Sequence, residues 1–324
     1  MPKRSLAEQL DEAVEALLAH PDSASLPAEV QLRELLAIAA ELRELPRPDF
    51  KNYLKIDLQR RAKMSTATVS FIPKGFRTVT PYMVVEGAAK VLEFAREAFA
   101  AEELFRFNRP DGLIMHAEFR VGDSMLEIGD ASEQISPIPA AIHLKVEDAD
   151  AVYAKAIEAG AVSLHPPTDH EYGERGASVK DPGGNHWYIG APLGETHFLP
   201  DQRSVTPYLH VAGAAACIDF LKRAFAAEEV ARHQTADGIV VHAKMRLGDS
   251  VLEMGEGHGQ YPAMPANLHI YVPDADATYR QALAAGAISE REPRDEPYGD
   301  RCGGVRDPFG NRWWIATHVR EVTP

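Results

Sequence analysis

The phrase VKDPGGNHWYI at residues 179–189 returns as VRDPFGNRWWI at 305–315, 126 residues further on. The same offset pairs VTPY at 79 with VTPY at 205, His116 with His242, Glu127 with Glu253, His143 with His269, and Tyr172-Gly173 with Tyr298-Gly299. No insertion interrupts the register, and about half of the aligned positions are identical. A gapless repeat of this length is a duplicated domain, too long to be the unit of a solenoid. The chain must therefore build one frame twice.

Each copy alternates between two kinds of periodicity. VTPYMVV reads as a strand, GAAKVLEFAREAFAA as a helix, and LIMHAEFRV and SMLEI as strands joined by a tight Gly-Asp turn. IHLKV and DADAVYAKAIEAGA open a second strand-helix round, closed by ASVK, the turn DPGGN and the strand HWYIG. Within LIMHAEFRV, Met115, Ala117, Phe119 and Val121 fall on one face, and His116, Glu118 and Arg120 on the other. Placing Val121 opposite Ser124 sets Glu118 beside Glu127 on the polar face, and in the second copy sets Lys244 beside Glu253 as an ion pair. Two adjacent carboxylates repel, so the first copy is expected to share a proton or attract a cation there.

Ahead of the repeat, residues 5 to 63 carry three short amphipathic stripes broken by Pro21, Pro27, Pro46 and Pro48. The expected organisation is a helical N-terminal region over 1–65, a linker over 66–78, a first domain over 79–192, a linker over 193–204 and a second domain over 205–319. The N-terminal stripes suit core packing, a protein contact or self-association. A net charge of −14 argues against nucleic acid as a partner. No stretch approaches the length of a membrane span, and the acidic N-terminus does not read as a signal peptide. Cys217 and Cys302 lie at non-equivalent positions of the two copies, which fits a reducing, cytoplasmic setting better than a disulfide framework.

The ordered motifs VTPY, LEFAREAFAA, MHAEFRVGDSMLEIGD, DADAVYAKAIEAGA and YGERGASVKDPGGNHWYI together resemble the glyoxalase/bleomycin-resistance, or vicinal oxygen chelate, superfamily, and within it the PhnB-like branch. The resemblance implies an α+β fold, with tandem domains that are each a pair of βαβββ modules curled into a half-open barrel. It also implies a small molecule in the concave cavity, and in many relatives a divalent metal such as Zn, Ni, Mn or Fe held by His and Glu. Glu127 and Glu253 match one ligand position of that pattern. Thr80 or Tyr82, Thr206 or Tyr208, Tyr188 and Trp314 depart from it. The candidate donors are His116, Glu127 and His143 in one copy and His210, His242, Glu253 and His269 in the other. Glu127, Glu253, His116 and His242 are the candidate catalytic groups of a glyoxalase-like lyase or isomerase. Tyr82, Tyr208, Tyr188 and Trp314, with Arg175 and Arg301 from the YGxR loops, are candidate substrate contacts, although each arginine can instead pair with a nearby aspartate such as Asp181 or Asp307. The alternative is a metal-free protein that binds or sequesters a small molecule or antibiotic.

Overall fold

A computed structural model of the protein describes residues 70–321 apart from 134, 195–198, 200, 201 and 260. The helices expected between residues 5 and 63 lie outside the described residues. The first copy comprises β1 (Val79–Val85), α1 (Ala88–Phe99), β2 (Glu102–Asn108), β3 (Ile114–Val121), β4 (Ser124–Asp130), β5 (Ala141–Lys145), α2 (Ala149–Glu158), β6 (Val162–His170), β7 (Glu174–Lys180) and β8 (His186–Pro192). The second copy repeats the series with β9 (Val205–Val211), α3 (Ala214–Phe225), β10 (Glu228–Gln234), β11 (Val240–Leu247), β12 (Ser250–Glu256), β13 (Asn267–Tyr271), α4 (Ala275–Ala284), β14 (Ile288–Asp295), β15 (Asp300–Arg306) and β16 (Arg312–His318). Each copy is thus two βαβββ modules, and the fold is α+β as the motifs imply.

The modules are distributed across the copies. One eight-stranded sheet runs β14-β15-β16-β13-β1-β4-β3-β2, and the other β10-β11-β12-β9-β5-β8-β7-β6. Every sheet therefore joins the first module of one copy to the second module of the other. The seams are antiparallel: Thr80 faces His269 between β1 and β13, and Thr206 faces His143 between β9 and β5. Reciprocal clamps hold the two seams. Asp123 in the β3–β4 turn accepts from Ser204 N at 2.9 Å and pairs with Arg203 at 2.7 Å, while Asp249 in the equivalent turn accepts from Thr78 N at 2.8 Å and pairs with Arg77 at 3.0 Å.

The cores keep to the copies. Met83, Phe94, Phe119, Ile142 and Trp187 form one cluster with α1 and α2, and Leu209, Phe220, Met245, Ile270 and Trp313 form the other with α3 and α4. Val79 and Val205, the first residues of β1 and β9, each join the core of the opposite copy. The repeated phrase is the turn that closes each core. Asp181 accepts from Gly183 N and Asn185 N at 2.9 Å through one oxygen, and through the other from Asn185 Nδ2 at 2.8 Å and the Trp187 indole at 3.0 Å. Asp307, Asn311 and Trp313 repeat it. Gly184 and Gly310 take φ of 88° and 91°, a region costly for residues with a Cβ. Both indoles are fully buried, and truncating either would cost ~3–5 kcal/mol.

Candidate functional site

Strand alternation turns the polar positions of both sheets toward their concave sides, and the second sheet encloses a cavity of about 680 Å³. At its floor lies Glu253, fully buried on β12. Its Oε1 meets Lys244 Nζ at 3.0 Å, as the β11–β12 register requires, and accepts from Gln202 Nε2 at 2.9 Å. Its Oε2 accepts from His143 Nδ1 at 2.7 Å, across the seam between copies. The other ring nitrogen of His143 lies 3.2 Å from Glu174 Oε2 on β7. Space for that carboxylate exists because Gly176 and Gly190 face each other on β7 and β8: a Cβ on Gly190 would fall 2.5 Å from the Glu174 carboxyl carbon.

This floor is a neutral network of two cations and two anions. Burial works against the charge of His143, but Glu253 and Glu174 outweigh it and push its pKa up to about 10. Burial likewise opposes ionisation of Glu253, yet His143 and Lys244 hold it well below the usual carboxylate range. Gln202 completes the network by accepting from Lys244 Nζ at 2.9 Å and donating to Thr206 Oγ1 at 3.1 Å. The cavity also meets Glu256, whose oxygens accept from Gly213 N and Ala214 N at 2.7 and 2.8 Å and hold the start of α3. Every carboxylate and ammonium lining the cavity is therefore already partnered, and no arginine lines it among the described residues.

The walls are aromatic. Tyr208, Tyr188, His210 and Tyr261 form a continuous group, with His210 and Tyr261 stacked at 5.9 Å and 10° and the Tyr188 hydroxyl 2.7 Å from His210 Nε2. Burial, with His186 and His258 nearby, pushes His210 down to about 4, so its ring is neutral at pH 7. Burial also raises the Tyr188 and Tyr208 phenols, which keep their protons. At the mouth Tyr172, half exposed, stacks on His170 at 4.8 Å and 7°. His242 lies between wall and floor, 6.0 Å from the Tyr208 ring and with Nε2 3.8 Å from Glu253.

The first sheet has the same frame and different contents. Glu127 accepts from His269 Nδ1 at 3.0 and 3.1 Å. Burial opposes the charge on each, yet each holds the other ionised: Glu127 below its ordinary value, His269 well above. The repulsion expected between Glu118 and Glu127 is thus answered from the second copy. Glu118 itself turns to His116 Nε2 at 3.4 Å, and His116 Nδ1 lies 3.3 Å from the Tyr82 hydroxyl. In place of Glu174 stands the shorter Asp300, which accepts from the Tyr271 hydroxyl at 3.0 Å and faces His318 Nδ1 at 2.8 Å. Cys302 and Ala316 stand opposite one another at the positions equivalent to Gly176 and Gly190, so the Glu174 cradle has no counterpart here.

The site residues are regrouped relative to the sequence expectation. Glu127 meets His269 rather than His143, and Glu253 meets His143 rather than His269, because the sheets continue across the copies. The candidate metal sets do not fit a divalent ion. Both oxygens of Glu253 face cationic or amide donors, and His210 is bonded to Tyr188. Both oxygens of Glu127 face one imidazole N–H. Among the described residues no group of three His, Cys, Asp or Glu side chains has the disposition of a metal site. Tyr188 and Tyr208 line the second cavity, while Trp314 packs in the first, donating to Asn267 Oδ1 at 2.9 Å beneath the Arg291 guanidinium. Arg175 and Arg301 are committed elsewhere: Arg175 binds Asp150 and Asp169, and Arg301 binds Asp276 and Asp295, tying α2 and α4 to their hairpins. Asp181 and Asp307 serve the turns instead. Sequence reasoning missed Glu174, Gln202 and Tyr261. The close pair Gly176 and Gly190 was the available signal for Glu174.

The profile of the family described as the Glyoxalase/Bleomycin resistance protein/Dioxygenase superfamily matches residues 77–189 and again 204–315. The uncharacterized protein Rv0887c of Mycobacterium tuberculosis (strain ATCC 25618 / H37Rv) is 37% identical over 140 residues, which is 40% of this chain and 82% of that protein. Among solved structures, glyoxalase I from Zea mays shares 15% identity at a TM-score of 0.57, covering 74% of this chain and 92% of its own. A putative dioxygenase from Bacillus subtilis shares 14% at a TM-score of 0.51, covering 79% and 87%. At these identities the two structures support the fold alone. No helix among the described residues is long and apolar enough to cross a membrane.

Proposed function

We propose that this chain, which belongs to the Glyoxalase/Bleomycin resistance protein/Dioxygenase superfamily, binds a flat, largely uncharged aromatic small molecule in the cavity of its second sheet without a metal ion. The observation that carries this reading is the saturation of Glu253 by Lys244, Gln202 and His143. A dication there would displace one of these donors and meet the Lys244 ammonium at close range. What the cavity offers instead is ring surface, phenolic hydroxyls and neutral imidazole in a volume suited to a drug-sized ligand. A charged ligand would find no unpaired counter-charge, whereas a planar aromatic one can stack against Tyr208, Tyr261 or Tyr172.

A second reading, lyase or isomerase chemistry, draws on His242. It lines the cavity with Nε2 3.8 Å from Glu253 and, unlike His143, is not held between two carboxylates, so it is placed to carry a proton to or from a bound molecule. Within the superfamily we place the chain in the PhnB-like branch on its ordered motifs. The acidic charge and two free, buried cysteines support a cytoplasmic location.

The test uses the uncharged dye N-phenyl-1-naphthylamine with protein purified without an affinity tag. Fluorescence titration should give saturable binding that is unchanged by EDTA, and Tyr208→Ala should weaken it by about tenfold, as expected for one lost stacking contact. Binding that disappears on chelation and returns with stoichiometric Zn²⁺ or Ni²⁺ would overturn the metal-free reading.

A further inference from the structure

Both sheets are built from equivalent modules, so symmetry alone would give the chain two receptive cavities. The segment leading into each sheet breaks that symmetry. Before β1, Phe76 N donates to Pro73 O at 3.1 Å, closing a turn, and the segment is pinned where His318 N donates to Phe71 O at 3.0 Å. Before β9 the same turn recurs, with Gln202 N donating to Leu199 O at 3.0 Å. Phe76 and Gln202 are therefore structural counterparts, and their side chains do opposite things. Gln202 is polar and buried, and it joins the Glu253 and Lys244 network on the cavity floor. Phe76 and Ile72 pack against the cluster of Tyr271, Cys302 and Ala316, as Trp314 also does, and the Phe76 ring is edge-on to Tyr271 at 5.7 Å.

The surrounding positions follow the same trend. Where β7 and β8 of the second sheet have Gly176, Gly190 and Tyr188, the equivalent strands of the first have the bulkier Cys302, Ala316 and Trp314. Where the first copy has Lys145, the second has Tyr271, which supplies the face that Phe76 meets. Arg291 lies over the Trp314 ring at 4.9 Å and pairs with Glu296 at 2.9 Å. Apolar packing of this kind is what a bound aromatic ligand would otherwise provide.

We propose that the chain's own Ile72 and Phe76 occupy the ligand position of the first sheet, so the protein takes up one molecule per chain, in the second cavity, and Phe76 is the residue that keeps the first site closed. This rests on the binding reading above for the second cavity, but the plug has a readout of its own. Cys302 lies beneath Phe76 and Ile72, whereas Cys217 is buried in a helix-packed core that the plug does not touch.

The experiment compares wild type with Phe76→Gln, which copies the counterpart residue, and with Phe76→Ala, after checking each for native circular dichroism. Native mass spectrometry with N-phenyl-1-naphthylamine should show one dye bound to wild type and two to each variant. Peptide mapping after N-ethylmaleimide should show Cys302 modified at least tenfold faster in the variants and Cys217 unchanged. Adding Val241→Trp, a half-exposed position on the rim of the second cavity, should return Phe76→Gln to one dye. Two dyes on wild type, or a Cys302 rate and dye count that Phe76 variants leave unmoved, would overturn the plug. No dye on wild type but one on the variants, with faster Cys302 modification, would uphold the plug and overturn the reading of the second cavity.

Discussion

At His143 an imidazole lies between two carboxylates, 2.7 Å from Glu253 and 3.2 Å from Glu174, with less than a tenth of its side chain exposed. Its pKa in the fold, about 10, stands above its ordinary 6.5. The stabilisation it supplies is therefore complete below pH 6.5 and is lost as the pH rises toward 10. His143→Gln leaves Glu174 and half of Glu253 without their cation, and should cost about 3 kcal/mol near neutral pH. The difference between wild type and variant, read from urea midpoints at pH 6, 8 and 10, should shrink steadily with pH. A difference that stays constant or grows would mean His143 is neutral in the fold. The lone-residue view of sequence could not reach this, because the partners of His143 are 110 and 31 positions away on other strands.

At the scale of the element, the hairpin of β7 and β8 is shaped by what it leaves out. Gly176 and Gly190 sit opposite one another and admit the Glu174 carboxylate, while the equivalent hairpin carries Cys302 and Ala316 and holds the shorter Asp300 back against Tyr271 and His318. Gly190→Ala places a Cβ 2.5 Å from the Glu174 carboxyl carbon, so the flexible side chain must swing away. The fold should survive with a loss of ~1–3 kcal/mol. The His143 titration followed by NMR should move down, since one of its two carboxylates is gone. An unchanged titration would show that Glu174 contributes nothing to the charge of His143. The DPxGN turn, by contrast, was legible from the start: its proline, glycine and asparagine are close in sequence, and Asp181 completes it with the Trp187 indole six residues away.

At the scale of the molecule, the exchange of modules makes the two copies interdependent. Residues 71–193 alone contain β1–β4 and β5–β8, which lie in different sheets and each need a partner module across an antiparallel seam. The Asp123 and Asp249 clamps and the crossing of Val79 and Val205 between cores would be lost with the other copy. A single copy should therefore dimerise, rebuilding both sheets from two chains, or fail to fold, because an exposed strand edge with an apolar back is a template for pairing. Light scattering on a refolded 71–193 fragment, with its denaturant midpoint followed against concentration, reads this directly. A stable monomer whose midpoint does not depend on concentration would show that each copy closes its own sheet.

The sequence by itself determined the duplication, the order of the elements its periodicity marked, the two faces of β3, the repeated turn and the pairing of Lys244 with Glu253, because each depends on side-chain period or on residues a few positions apart. It also placed Glu127, Glu253, His143 and His269 on polar faces. It did not mark β2, β6, β10 and β14, which lie largely exposed and carry no clean buried alternation. Only the tertiary structure decided which of them meet. β5 and β13 carry the same alternating pattern, so either satisfies the edge of β1 or β9 equally well by hydrophobic matching, and periodicity fixes a face without choosing a partner. The choice was made by the seams and their clamps, over separations of more than a hundred residues, and with it came the difference between a filled concave face and an open one.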